Sequence, residues 1–382
     1  MTRYVVGIYH NLMSLEGPTR LFLSMMDVFK SMGWQVRIYT RSTAWTQVWV
    51  KQPRGLFKQM RIKERVDPNR TYYPLKDLKK YHPLAYLQLR DIRVDDMIPL
   101  RHPYLYFSEQ IREEMAEADY VFTAVETYLR LNEFLEDPSK FIAYIHFPPT
   151  MMWPSSREIH VWVNSEWTGQ FVNEFWKGKE VEKLWGRRYI DQMPVEDWEY
   201  HVVYPPCNVE AYTSSRSWEE RPYDIVIFSR LTKDKIQLVS HLEGYRVLVI
   251  GADYGGEVPS WVECRKNLTF HEVAEYLSKS KVYLHCKGYQ SEPEHFGQTI
   301  VEAMASGCAV VAPNAGGPVE ILDHGKYGIL FEDPMEMKEA IDYLLSSSEE
   351  WRYFHKKATD RSKYFDYEHT AKRIREALDI EE

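Results

Sequence analysis

Long apolar runs are missing from this 382-residue chain. None approaches the roughly 18–20 residues that a helix needs to cross a bilayer. The first residues turn polar after a short strand-like run, so no secretory leader is expected. Cysteine is scarce. Cys207, Cys264, Cys286 and Cys308 stand far apart with no Cys-x-x-Cys pair. That argues against a disulfide framework and a thiolate zinc site, and a reducing compartment is the expectation. A cationic excess is also lacking: 48 Lys and Arg stand against 56 Asp and Glu, a net charge of −8. The chain as a whole is therefore not a general nucleic-acid binder. Low-complexity tracts and short repeats are absent.

What is present is ordinary for a soluble globular protein: 44% hydrophobic and 27% charged residues. At roughly 100–200 residues per domain, the length favours two or three domains. The charge is uneven. Between Lys51 and Arg101, thirteen Lys or Arg face six Asp or Glu, a local balance of +7 that leaves −15 for the remainder. Phe57, Tyr72, Tyr73, Tyr81 and Tyr86 are interleaved with these cations. The stretch 51–101 reads either as a solvated surface or as a face for phosphate-bearing ligands or an anionic membrane.

Two β-branched and aromatic runs, 4–9 and 223–228, each read as the opening strand of an α/β unit. After the first, 21–32 reads as a helix closed by Gly33 and 34–39 as the next strand. Short buried strands are expected at 120–123, 141–145 and 161–163. The second half repeats the rhythm, with strands at 246–250, 282–285 and 308–312. Helices are expected at 273–278, 299–305, 336–345 and 351–377. Between the halves, Tyr204-Pro205-Pro206-Cys207 and the polar residues 213–221 read as an interdomain linker. The expected fold class is α/β: two Rossmann-like domains facing across a cleft, where ligands bind beyond the carboxyl ends of the strands. The expected division is an N-terminal domain over 1–207, a C-terminal domain over 208–360, and a terminal helix over 361–382 packing back toward the N-terminal domain.

The densest signal is Glu294-His295-Phe296-Gly297-Gln298-Thr299-Ile300-Val301-Glu302. Gly297 stands where a loop enters a helix, whose unpaired N–H groups can hold a phosphate. Glu294 lies just before that helix and Glu302 inside it, far enough apart to grip two ends of a polyhydroxylated ligand. Read alone, the two glutamates are equally compatible with a loop acid and a solvated helix face. Phosphate needs cations, and Arg230 and Lys235 follow the strand 223–228 where side chains point into a cleft. Lys233 reads as a surface neighbour. Asn314-Ala315-Gly316-Gly317-Pro318 marks a tight turn after another buried strand.

At these residues the chain resembles glycosyltransferase family 4. Phe228-Ser229-Arg230-Leu231-x3-Lys235, Glu294-x7-Glu302 and Gly316-Gly317-Pro318-x-Glu320 follow that family's order and spacing. Together with Val203-Tyr204-Pro205-Pro206-Cys207 they look most like lipid-linked-oligosaccharide mannosyltransferases. In the first half, Ile145-His146-Phe147-Pro148 and Val163-Asn164-Ser165-Glu166-Trp167-Thr168 are similar to segments of the acceptor domain. One departure is clear. The family's Gly-Gly-Ala-Glu loop is replaced here by Leu15-Glu16-Gly17-Pro18-Thr19-Arg20. Ser229 stands where a Gly is usual.

The resemblance implies a retaining, GT-B enzyme that moves a hexose, mannose or glucose, from a GDP- or UDP-sugar to a glycan or lipid-linked acceptor, with no metal or other cofactor required. It implies that Arg230 and Lys235 neutralise the departing diphosphate, aided by the amides of Gly297, Gln298 and Thr299. Glu294 would bind sugar hydroxyls and Glu302 the ribose, with Phe296 in the same donor segment. His146 would sit near sugar and acceptor, and Gly17, Thr19 and Arg20 on the acceptor side. Catalysis would rest on charge stabilisation of a leaving group, not on a glycosidase-like carboxylate pair. A cytoplasmic setting follows, peripheral on the cytosolic face of a membrane if 51–101 binds lipid. The altered Gly17 loop keeps a second reading open, a nucleotide-sugar-binding subunit or scaffold that has lost transfer. An epimerase or phosphorylase on the same two-domain plan is a third.

Overall fold

The computed structural model describes residues 2–9, 12, 17–40, 46–51, 57–62, 73–95, 108–125, 129, 131–146, 156–176, 197–229, 233–251, 258–290 and 292–381. Two parallel sheets organise them. The first runs in the order Ile92–Val94, Gln35–Thr40, Tyr4–Tyr9, Tyr120–Thr123, Phe141–Ile145, His160–Val163 and His201–Val202. The second runs Glu263–Arg265, Val247–Ile250, Tyr223–Phe228, Ser280–Leu284, Ala309–Pro313 and Ile329–Phe331. A separate antiparallel hairpin pairs Thr46–Lys51 with Phe57–Ile62. In both sheets the earliest strand lies inside, so strand order reverses beside it. Such a reversal opens a crevice at the strands' carboxyl ends.

The central strands are buried on both faces, as helix-covered parallel strands are. Every residue of Phe141–Ile145, Ser280–Leu284 and Ala309–Pro313 is buried. The helix Gly17–Ser31 lays Phe22, Met25, Met26 and Phe29 into the first core. It starts at Gly17, four residues before the expected start at Leu21. Pro18 causes no break, because the first turn of a helix has no use for its missing N–H. At the buried end of this helix, Asp27 accepts hydrogen bonds from the backbone N–H groups of Ala85 (3.0 Å), Tyr86 (2.7 Å) and Leu87 (2.8 Å). One carboxylate thus ties part of the basic stretch to the core. The remainder of 51–101 includes 52–56, 63–72 and 96–101, which lie outside the described residues.

The expected single helix over 351–377 is two. Ser348–Ser362 packs on the second sheet and Tyr367–Ala377 on the first. A one-turn 3-10 segment, Lys363–Phe365, separates them, and Asp366 caps the second helix by accepting from the His369 N–H at 2.8 Å. The break exists because the chain crosses between domains here. Ile374 is fully buried in the first core, and burial of such a side chain contributes about 1.5–3 kcal/mol. The outgoing crossing lies alongside: the Cys207 N–H donates to the Phe365 carbonyl at 2.7 Å.

The polar residues 213–221 end in a plug. Arg221 is 1% exposed and donates to the carbonyls of Ser280 (2.7 Å) and Ser306 (3.0 Å) beneath the Trp351 ring. A polar linker in the sequence is thereby anchored at one end in the second domain.

Candidate active site

The segment joining Ser280–Leu284 to the helix Gln298–Ala305 leaves the sheet at its carboxyl edge and turns sharply at Gly297. There φ is +111°, and a Cβ would stand 2.8 Å from Ile300 Cδ1. Only glycine fits both demands. It caps the helix without laying a side chain over the first-turn N–H groups, which keeps those donors available to an anion. The neighbours are already engaged. Thr299 Oγ1 shares a 2.7 Å hydrogen bond with the Tyr283 hydroxyl, and Gln298 Nε2 donates to the Pro206 carbonyl at 3.0 Å. The Phe296 ring is buried against Tyr204 and Phe365.

Glu294 lies on this loop between two basic side chains absent from the sequence-based candidates. Lys287 Nζ is 3.3 Å from its Oε1, and His285 Nε2 is 3.7 Å from its Oε2. Burial pulls the Glu294 pKa upward, but Lys287, His285 and His295 together outweigh it and hold the group below its ordinary 4.5. It is therefore anionic at neutral pH, ready to accept hydroxyl protons. Lys287 follows the expected strand 282–285, as Arg230 follows 223–228, and His285 stands at that strand's end; that position was the signal available in the sequence.

Glu302 is 1% exposed. Its Oε1 forms an ion pair with Arg20, from the first turn of Gly17–Ser31 in the other domain. Arg20 also donates to the Tyr212 hydroxyl at 3.2 Å and lies over the Phe228 ring. Thr19 is buried, with its hydroxyl 3.4 Å from that of Tyr9. Gly17 is exposed, and a Cβ there would meet nothing within 4 Å. Arg230 lies outside the described residues, as does the side chain of Lys235.

The two glycines of Gly316-Gly317 are explained by packing. A Cβ on Gly317 would stand 2.4 Å from Phe296 Cα, and one on Gly316 2.4 Å from the Glu294 carbonyl. The Gly317 N–H instead donates to that carbonyl at 2.8 Å. The turn therefore braces the backbone on both sides of Glu294. Glu320, just beyond it, reaches across to the first domain. It accepts from the N–H groups of Glu166 (3.0 Å) and Trp167 (2.8 Å), at the start of the helix Glu166–Trp176. Beside it, Ser165 Oγ donates to the His295 carbonyl at 2.6 Å, and Asn164 Nδ2 to the His146 carbonyl at 3.0 Å. Asn164, Ser165 and Trp167 thus link the His146 strand end to the Glu294 loop. Burial, reinforced by His295, lowers the His146 pKa to about 3, so the imidazole is neutral at neutral pH.

Two Rossmann-like sheets with their strand ends opposed define the GT-B class of fold. Residues 262–361 match the family model of glycosyl transferases group 1. A human GDP-Man:Man(3)GlcNAc(2)-PP-Dol alpha-1,2-mannosyltransferase is 28% identical over 193 residues, covering 40% of this chain and 38% of the relative. Human alpha-1,3/1,6-mannosyltransferase ALG2 is 31% identical over 137 residues, 35% of this chain and 30% of its own length. The matches thus span well under half of these relatives. The solved structure of Anabaena Alr3699/HepE in complex with UDP-glucose superposes on 98% of this chain and 99% of its own, with a TM-score of 0.62 and 14% identity. That is a likeness of fold.

Proposed function

We propose that the protein is a retaining hexosyltransferase. It takes mannose or glucose from a GDP- or UDP-sugar and passes it to a glycan or lipid-linked acceptor without a metal. The observation that carries this reading is the pair Glu294 and Glu302 at the two ends of a glycine-capped helix start. An anionic carboxylate at each end suits hydroxyl-bearing groups, and the N–H donors between them suit a diphosphate. Glu294 receives the hexose and Glu302 the ribose. Arg230, Lys235 and the amides at Gly297 to Thr299 take the charge that develops on the leaving diphosphate. His146 faces the sugar as a neutral hydrogen-bonding group. Acceptor attack occurs on the face the diphosphate leaves, which retains configuration. The human alpha-1,2-mannosyltransferase is named for a PP-Dol-linked glycan, which supports a lipid-linked acceptor; the basic stretch 51–101 would then serve at an anionic membrane surface.

A thermal-shift panel of GDP, UDP, ADP and their hexose conjugates in the presence of chelator tests the donor site. One base raises the melting temperature by several degrees, because a ligand at 100 times its Kd adds about 2.7 kcal/mol. Glu302→Ala loses most of that shift. Hydrogen bonds to a charged group contribute about 1.5–3 kcal/mol, roughly 10- to 150-fold in affinity. Hexose transfer to a lipid-linked acceptor is the following measurement. Binding without transfer would favour the scaffold reading, and no shift with any nucleotide would overturn the donor site.

A further inference from the structure

Glu302 presents a puzzle of buried charge. A carboxylate 1% exposed is costly unless a cation accompanies it. That cation, Arg20, comes from the opposite domain and engages Oε1. The second oxygen, Oε2, is equally buried and has no hydrogen-bond partner among the described residues. Buried polar oxygens in native proteins nearly always have a donor, so Oε2 is left with capacity for one beyond the described residues.

Arg20 is itself held in place. It donates to the Tyr212 hydroxyl at 3.2 Å and lies with its guanidinium carbon 5.9 Å from the Phe228 ring centre. Tyr212 is in turn buried edge-on against Phe270. All three partners belong to the second domain. The planar guanidinium suits this setting because it can bond in its plane while its face covers a ring, which an ammonium cannot do equally well.

We propose that Arg20 is a positioning residue of the donor site, not of the acceptor side. It occupies one oxygen of Glu302 and thereby aims the other at the hydroxyls of the ligand. This rests on the reading of Glu302 as the ribose-binding acid. It also gives the first domain a direct part in donor recognition: Glu302 is oriented only while the two domains are together.

The test is calorimetric binding of UDP and GDP, each against its 2′,3′-dideoxy analogue, to wild type, Glu302→Ala, Arg20→Ala and Arg20→Lys. A merely structural loss weakens both members of a pair alike, so the ratio isolates the ribose contact. Wild type prefers the ribonucleotide of its base by about tenfold or more. Arg20→Ala reduces that ratio to within about twofold, Arg20→Lys retains part of it, and Arg20→Ala adds nothing further on the Glu302→Ala background. If Arg20→Ala does not fold, Arg20→Lys and Arg20→Gln carry the same comparison. A full wild-type ratio in a folded Arg20 variant, or strictly additive effects of the two substitutions, would overturn the inference while leaving Glu302 in its role. A wild type that binds neither nucleotide, or binds without preferring ribose, would instead overturn the donor-site reading and the inference with it.

Discussion

The two sheets are built alike but hold their functional groups differently. In the second domain, Glu294, Gly297, Glu302, Gly316 and Gly317 come from two neighbouring loops and one helix start. They are close in sequence because two neighbouring strands of one sheet deliver them all. In the first domain, Arg20, His146, Asn164 and Ser165 come from three separate strand ends; Arg20 and Ser165 touch the second domain, and Asn164 holds the His146 carbonyl beside them. A site for phosphate and hydroxyls needs a preset backbone, which a short contiguous segment supplies. A surface that closes on another domain needs only scattered contacts, each fixed by its partner.

The comparison can be broken first at Asp27. Asp27→Ala strips three backbone N–H groups of their shared buried acceptor and destabilises the first domain by about 3 kcal/mol. Urea unfolding monitored with and without nucleotide would show the first domain melting early while the nucleotide-stabilised transition stays in place. Loss of both together would mean the two domains are one cooperative unit. Glu320→Ala comes next, at about 2 kcal/mol, because it removes two cross-domain hydrogen bonds to the Glu166 and Trp167 N–H groups. Its signature is a calorimetric transition that splits or broadens, and Glu320→Gln keeps part of the coupling. A transition as sharp as wild type's would show that this contact does not join the domains.

The smallest expected effect sharpens the second domain alone. Glu294 has a depressed folded pKa, so its charged form is favoured above the ordinary carboxylate value and is lost as pH falls through the folded value. Lys287→Met removes the first of the cations holding it down. The acid limb of kcat/KM for donor turnover then moves upward, by on the order of one pH unit or less. An unmoved acid limb would mean that Lys287 does not control the charge on Glu294.

Legibility follows the same division. The sheets were readable because buried parallel strands are β-branched runs bounded by loops, as at Tyr223–Phe228 and Ala309–Pro313. Helix ends were less so: Gly17–Ser31 begins earlier than its apolar pattern, since Pro18 is harmless in a first turn. The break at Lys363–Phe365 was hidden, because both flanking helices keep helical periodicity while facing different cores. In the site, Glu294, Gly297 and Glu302 stood out by spacing. Lys287 and His285 did not, although they too lie at a strand end, because lone basic residues in a loop are common.

By itself, the order of residues determined two α/β units, a glycine-capped helix start flanked by two glutamates, and a linker rich in proline and polar groups. These are local matters: periodicity, turn chemistry and spacing act within a few residues. Only the tertiary structure decided that Arg20 answers Glu302, that Glu320 caps a helix of the other domain, and that Arg221 ends the linker in a core. Each of these settles a buried charge or an unpaired backbone group. The partner that satisfies it is chosen by proximity in space, across as many as 282 positions of sequence between Arg20 and Glu302.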